Sequence, residues 1–497
     1  MKHVRRAFLM ATLGQYLSIV IGLALIATMS RLMTPAEIGL SVIGLGVTAM
    51  VFSLREFVTS DFLIQLDKVE CLDVRTARTV MIGFTCLLGL ALFLASSWLA
   101  GFYGNAALKS FFSLTIAAAI IESLAAPNLA LIRRDMQFGT IALIDTVRLS
   151  VNALATIGFA MLQWGYISFA AGALVASIAA TGLALLSRRI WWSFQPSLSS
   201  LRAIIEFGRY KGGTNVVDRF YDSLPMIMLG SIMSSAAVGS YNRSVTISSL
   251  PDRLVLASVF SVAFPALAAG VRDEVDIEKS YLHALGYITV VYWPALLMLT
   301  ILADPIVSLV LGDGWGEVVP LARLLALSSM FFFPVVLTYP LLIALNANRS
   351  AFAFNMISRS ASAIFLCGAS FFGLMAIAAS QFISLPLQMV LCFLFVRRYV
   401  HFAWVDLYRA ILPSWLVSLA TIAGPLAMAT CLGFRFDFSY PQMAFICVLA
   451  VMGWFLGLKL TRHPFLAEIS VVLDGGSQRM RTWRPHLMRS APMKRTH

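Results

Sequence analysis

Arg55 and Arg253 are the residues best placed to do chemistry in this chain, because each stands in a stretch otherwise almost free of charge. A guanidinium presents paired N–H donors and keeps its charge at any working pH, so two of them suit a diphosphate. Their closest carboxyls are sequence neighbours, Glu56 and Asp252. Neighbours on a helix do not face each other, which makes neutralisation within each pair poor, although it stands as the competing reading.

Four more arginines, Arg148, Arg219, Arg323 and Arg359, and four more acids, Glu122, Asp145, Asp218 and Asp222, share such apolar surroundings. Asp145 with Arg148, and Arg219 with Asp222, lie three apart on one helical face, so local pairing is the simplest expectation. Glu122 has no charged residue within a turn. It is either a carboxyl that takes up a proton in a coupled cycle or a hydrogen-bonded structural acid. Glu122, Asp218, Arg219, Asp222 and Arg31 form the wider set of candidate cavity or coupling residues.

Other chemistries lack their residues. The chain has no G-x-x-x-x-G-K-[ST] phosphate loop, no H-E-x-x-H and no G-x-S-x-G, and its six histidines lie at ends or in loops. The six cysteines include no short-spaced pair and read as packing residues. Neither a metal nor a cofactor is expected, nor is enzymatic activity.

The elements that must position these charges follow from composition. Of 497 residues, 59% are hydrophobic and 12% charged, with mean hydropathy +0.85. A soluble domain carries roughly 25% charged residues. The chain is therefore expected to be an all-α integral membrane protein, which excludes disorder, a secreted disulfide scaffold and a soluble nucleotide-binding enzyme. The net charge of +13 then reflects basic loops held in the cytoplasm rather than affinity for nucleic acid.

Runs of about 20 apolar residues are needed to cross the hydrocarbon. They predict about fourteen transmembrane helices, near 8–30, 38–58, 80–100, 111–132, 141–162, 166–186, 212–233, 241–268, 283–303, 319–345, 353–373, 375–396, 411–433 and 441–460. The first is too long for a signal-peptide core and is expected to be retained. Counting Lys and Arg in loops and at span ends, 27 fall on one side and four (Arg31, Lys109, Arg243 and Arg435) on the other, which predicts both termini in the cytoplasm. The outer segment Asp304–Glu317 reads as a re-entrant lip. Trp191–Lys211 mixes aromatic, aliphatic and basic residues as an interfacial helix does.

The sequence also repeats. Arg31–Leu40 (RLMTPAEIGL) is echoed by Ser231–Ser240 (SIMSSAAVGS), and Phe102–Asn105 (FYGN) by Val310–Asp313 (VLGD). An even number of spans separates the copies, so the repeat is parallel. The expected organisation is an N-lobe of six spans (1–187), a basic interfacial linker (188–211), a C-lobe of six spans (212–396), two added helices (397–460) and a basic cytoplasmic tail (461–497). Arg55 and Arg253, on corresponding second and eighth spans, are expected on opposite walls of a cleft between the lobes. Gly453-x-x-x-Gly457 reads as an internal close-packing motif.

Several stretches carry a family resemblance: Arg31–Gly39, Leu54–Gln65, Phe207–Gly213, Gly239–Arg243, Leu250–Leu254 and Leu311–Trp315. On these the chain resembles the polysaccharide exporter (Wzx-type flippase) branch of the multidrug/oligosaccharidyl-lipid/polysaccharide transporter superfamily, and is most similar to exporters of colanic-acid or succinoglycan type. The resemblance implies a flippase of the bacterial inner membrane. Its substrate would be an undecaprenyl-diphosphate-linked oligosaccharide repeat unit, moved by alternating access for exopolysaccharide biosynthesis. Arg253 resembles a cavity arginine of the related lipid II flippases and Arg55 one on their second helix. A third arginine, midway along the first helix of those flippases, has no counterpart here. Membrane lipids, a polysaccharide polymerase and a chain-length regulator are the expected partners. A multidrug or cation antiporter of the same superfamily is the alternative, and acidic rather than cationic cavities would favour it.

Overall fold

The computed structural model describes residues 2–256, 277–345, 347–433 and 436–467. The end of the eighth expected span, nearly all of the basic tail and the side chain of Asp218 lie outside the described residues. Described elements are helical throughout: α1 (Lys2–Leu32), α2 (Pro35–Ser53), α3 (Phe62–Gln65), α4 (Cys71–Phe102), α5 (Leu108–Arg134), α6 (Phe138–Met161), α7 (Ile167–Ser187), α8 (Leu201–Ile232) and α9 (Ser235–Ser248). They continue with α10 (Ile277–Ile301), α11 (Ala303–Leu311), α12 (Val318–Ser329), α13 (Val335–Ala344), α14 (Asn348–Ser370), α15 (Leu374–Val396), α16 (Trp404–Cys431) and α17 (Tyr440–Leu460).

Among the described residues, 11 helical segments are long and apolar enough to cross a membrane, and the end of α1 adds a shorter apolar stretch. Large apolar side chains remain exposed along their outer faces, such as Leu87, Leu90 and Leu94 on α4. That spacing gives one stripe turned away from the protein, as a lipid-facing helix requires. The protein is a multi-pass membrane protein. The division between α14 and α15 falls at Gly373, whose φ of +97° only glycine adopts without strain.

Both copies of the repeat begin alike. Thr34 caps α2 by accepting from the Glu37 N–H, with the Glu37 side chain returning to the Thr34 N–H. Ser234 caps α9 by accepting from the Ala237 N–H. The two helices then cross at their matched glycines. A Cβ on Gly39 would lie 1.7 Å from the Ser235 carbonyl oxygen, and one on Gly239 would lie 2.0 Å from that of Pro35. The contacts are thus reciprocal, as a local two-fold relation requires, and only glycine permits them. The second echo is structural too: Gly104 after α4 and Gly312 after α11 both take positive φ, +64° and +86°, which glycine adopts without strain.

Two expectations change in detail. The stretch Trp191–Lys211 is not one interfacial helix: a 3-10 turn covers Trp191–Phe194, and α8 begins at Leu201 and runs unbroken into the following span. Gly208 and Gly212 do not break α8, because both pack directly on the backbone of Phe57, with Phe57 O 1.9 Å from a Cβ built on Gly208. The lip at 304–317 is entered by α11, which starts at Ala303, and its Trp315 is buried with its indole N–H donating to Ser30 O (2.9 Å).

Packing separates the chain into two compact units. One comprises 1–250, 302–332 and 348–392; the other comprises 251–301, 333–347 and 393–497. In the first, Ile43, Leu229, Val238, Leu321 and Ile377 share a core cluster that joins α2 to helices of the second repeat. In the second, α17 lies on α16, where a Cβ on Gly453 would approach Ala420 O at 2.3 Å and one on Gly457 would approach Val417 Cα at 2.9 Å. The expected Gly-x-x-x-Gly motif therefore packs inside the chain.

Candidate functional site

A cavity of about 280 Å³ in the first unit gathers Arg55, Glu56, Glu122, Arg133, Asp145 and Arg148. Arg55 lies on the 3-10 turn Leu54–Val58 that prolongs α2. Its Nε donates to Phe52 O (3.2 Å) and its Nη1 to Ala119 O (3.4 Å), while Nη2 lies 3.9 Å from Glu122 Oε2. Glu122, on α5, also accepts from Ser177 Oγ of α7 through Oε1 (3.3 Å). The two residues, separate candidates in sequence, form one ion pair bridging three elements. Glu122 is thus not a lone carboxyl; its partner is distant in sequence. The pair is loose and partly open to solvent, with 26% and 40% of the two side chains exposed, so it is able to exchange partners.

The expected Asp145–Arg148 pair forms at 3.5 Å, and both side chains line the cavity. Arg133, counted in sequence as a loop residue, lines it as well and lies 3.6 Å from Asp61. Helix length is why it was missed: α5 extends past the apolar run, and its last turn still faces the cavity. Three guanidiniums and three carboxylates share this space, so the site offers bidentate anion contacts wherever a carboxylate is neutralised or drawn away.

The other candidates are dispersed. Arg253 is exposed on a π-helical turn, Asp252–Leu256, in the second unit. The neighbouring Asp252 accepts from the Tyr292 hydroxyl (2.5 Å). Asp222 does not serve Arg219, which is exposed; it pairs with Arg359 of α14 at 2.7 Å. The cause is close packing of α8 on α14, marked by a Tyr221–Ser360 hydroxyl contact of 2.5 Å along the same seam. Arg31 does not line this cavity; its Nη2 donates to Leu309 O (2.7 Å) and so caps α11. Arg323 pairs with Asp304 at 2.7 Å.

Two buried arginines were missed because the charge count assigned them to loops. Arg78 bonds Asn128 and stacks on Phe194 with Cζ 4.0 Å from the ring centre, tying the turn after α7 to α4 and α5. Arg243 is buried inside α9, with its Nε unpartnered. Among the described residues no group of three or more His, Cys, Asp or Glu could hold a metal ion.

A family model described as "Polysaccharide biosynthesis protein" matches residues 28–320. The lipopolysaccharide biosynthesis protein WzxC of Escherichia coli (strain K12) is 23% identical over 316 residues, which cover 63% of this chain and 64% of WzxC. The succinoglycan biosynthesis transport protein ExoT of Rhizobium meliloti is 22% identical over 404 residues, 81% of this chain and 79% of ExoT. The match thus spans just under two thirds of WzxC and more of ExoT. Among solved structures, the lipid II flippase MurJ in an inward closed conformation superposes with TM-score 0.75 at 13% identity, covering 92% of this chain and all of that one. An inward-facing multidrug resistance transporter of the MATE family gives 0.63 at 14% identity, covering 77% of this chain and 94% of the other. These likenesses show the fold.

Proposed function

Because the chain belongs to the polysaccharide biosynthesis protein family, we propose that it is a flippase of the bacterial inner membrane that moves an undecaprenyl-diphosphate-linked oligosaccharide between leaflets. Arg55 and Arg253 are the guanidiniums that bind the diphosphate, and both termini face the cytoplasm. The lobes 1–187 and 212–396 rock to expose the substrate on alternate sides. The similarity to ExoT over 404 residues supports an exopolysaccharide repeat unit as cargo, with a polymerase and a chain-length regulator as partners downstream.

The observation that carries this reading is the Arg55–Glu122 pair in a polar cavity of an otherwise apolar bundle. A substrate phosphate competes with Glu122 for Arg55. Proton uptake by the released carboxyl then links substrate binding to an ion gradient without any change in a covalent bond. Arg55→Ala and Arg253→Ala should each abolish polysaccharide export in cells lacking their own copy, with the variant still present in the membrane. Undiminished export by the double variant would remove both residues from the mechanism.

One observation favours the antiporter reading: Glu56, Glu122 and Asp145 give the cavity as many carboxylates as guanidiniums. Under that reading Glu122→Gln abolishes cation efflux while Arg55→Ala spares it. The flippase reading predicts that Arg55→Ala is the more damaging change.

A further inference from the structure

A second cavity, of about 300 Å³, lies in the second unit and differs in kind from the first. It forms where α10 meets α16. Gly286 brings the helices together, with a built Cβ 3.2 Å from Ala410 O, and the Ser414 hydroxyl donates to Gly286 O (3.1 Å). Beside this seam the cavity is lined by Lys279, His283, Tyr287, Arg409, Pro413 and His463. No carboxylate lines it among the described residues.

Its polar groups sit at the rim and its floor is apolar. Lys279, His283 and Arg409 are exposed, whereas Leu282 and the imidazole of His463 are buried. The turn after α17, with Arg462 at φ +48°, tucks His463 in, and its Nδ1 accepts from the Phe465 N–H (3.2 Å). Arg409 has Asp406 at 3.9 Å three residues away, an exposed pair too weak to compete with a phosphate. Pro413 lacks an N–H, so the Arg409 carbonyl loses its helical donor and offers an acceptor at the same rim. Trp404 and Tyr408, both exposed on α16 within two turns, are the residue types that settle at headgroup depth. Arg397, stacked on Trp404 at 4.7 Å, adds a third cation at that level.

We propose that this cavity is a binding site for the headgroup of an anionic glycerophospholipid, phosphatidylglycerol being the commonest chemistry that fits. Lys279 and Arg409 hold the phosphate, the Arg409 carbonyl accepts from the glycerol hydroxyl, and the acyl chains run along the exposed apolar face of α16. Basic pockets between transmembrane helices recognise anionic headgroups in this way. The volume is at the lower end for a ligand site and admits a single headgroup, not an oligosaccharide. The proposal does not depend on the proposed transport function.

The test is native mass spectrometry of the purified full-length protein with dioleoyl-phosphatidylglycerol or dioleoyl-phosphatidylcholine added at equal concentration. The wild type should retain the anionic lipid preferentially, and Arg409→Gln, an exposed change, should lower that retention about fivefold. Lys279→Ala/Arg409→Ala should abolish the preference, and Lys279→Arg/Arg409→Lys should keep it. Equal retention of the two lipids, or a preference that survives Arg409→Gln, overturns the proposal. Displacement of phosphatidylglycerol by an equal concentration of undecaprenyl phosphate would assign the cavity to the carrier lipid. Equal displacement by inorganic phosphate would reduce it to an anion site. Either result also overturns the proposal.

Discussion

Arg55 and Glu122 show what a single sequence tells about a membrane site and what it withholds. Charge inside an apolar stretch singled out both residues, since such groups persist only where water or a partner awaits them. Their pairing was hidden, because it depends on how α5 packs beside the end of α2. The same limit explains Arg78: α4 runs for 32 residues, more than a bilayer requires, so a cation near a helix end still becomes buried by neighbours. Glu122→Gln should preserve folding and membrane insertion but remove the pH dependence of transport, measured as initial rates across a pH series. An unchanged pH profile would exclude Glu122 from coupling. His463 supplies a second prediction at this scale. Burial lowers its imidazole below the ordinary value of 6.5, so the folded state favours the neutral form. Lys279 and Arg409, which line the same cavity, also disfavour a second positive charge there. Docking of the turn after α17 should be fully stable above pH 6.5 and weaken as pH falls below it, because the undocked state then binds the extra proton. An NMR titration of His463 with a midpoint at or above 6.5 would contradict this.

The repeat was the most legible feature among the helices. Ten residues in each copy aligned Gly39 with Gly239, and in the structure those two glycines lie against each other's helix. The pattern revealed equivalence; the contact itself required coordinates, since small residues at matched positions are equally compatible with two separate packing sites. A side chain at Gly39 would drive α2 from α9, and overpacking of this kind costs about 1–3 kcal/mol or more. Gly39→Val should therefore lower the melting temperature in detergent by several degrees. Gly22→Ala, at a position with open space around its Cβ, should leave it unchanged or raise it slightly. Equal effects of the two substitutions would show that the α2–α9 crossing does not hold the unit together. The separate interfacial helix expected at Trp191–Lys211 failed for a related reason. α8 continues from Leu201 through Gly212 and Gly213 to Ile232, and Gly212 closes on Phe57.

At the level of the whole molecule, composition established the membrane class and hydropathy located the apolar segments, because the bilayer leaves few alternatives to a helix. The likeness in fold to a lipid II flippase and to multidrug transporters shows why fold does not choose between cargoes. Cargo must be argued from the charged groups. The decisive groups are therefore Arg55 and Arg253, proposed to act on a lipid diphosphate. The most direct measurement is translocation of a labelled undecaprenyl-diphosphate-linked oligosaccharide across liposomes containing the purified protein, read by the accessibility of its sugars to an external lectin. The wild type should equilibrate the substrate between leaflets, and Arg55→Ala/Arg253→Ala should fall to the level of empty liposomes. Translocation by the double variant at the wild-type rate would contradict the account.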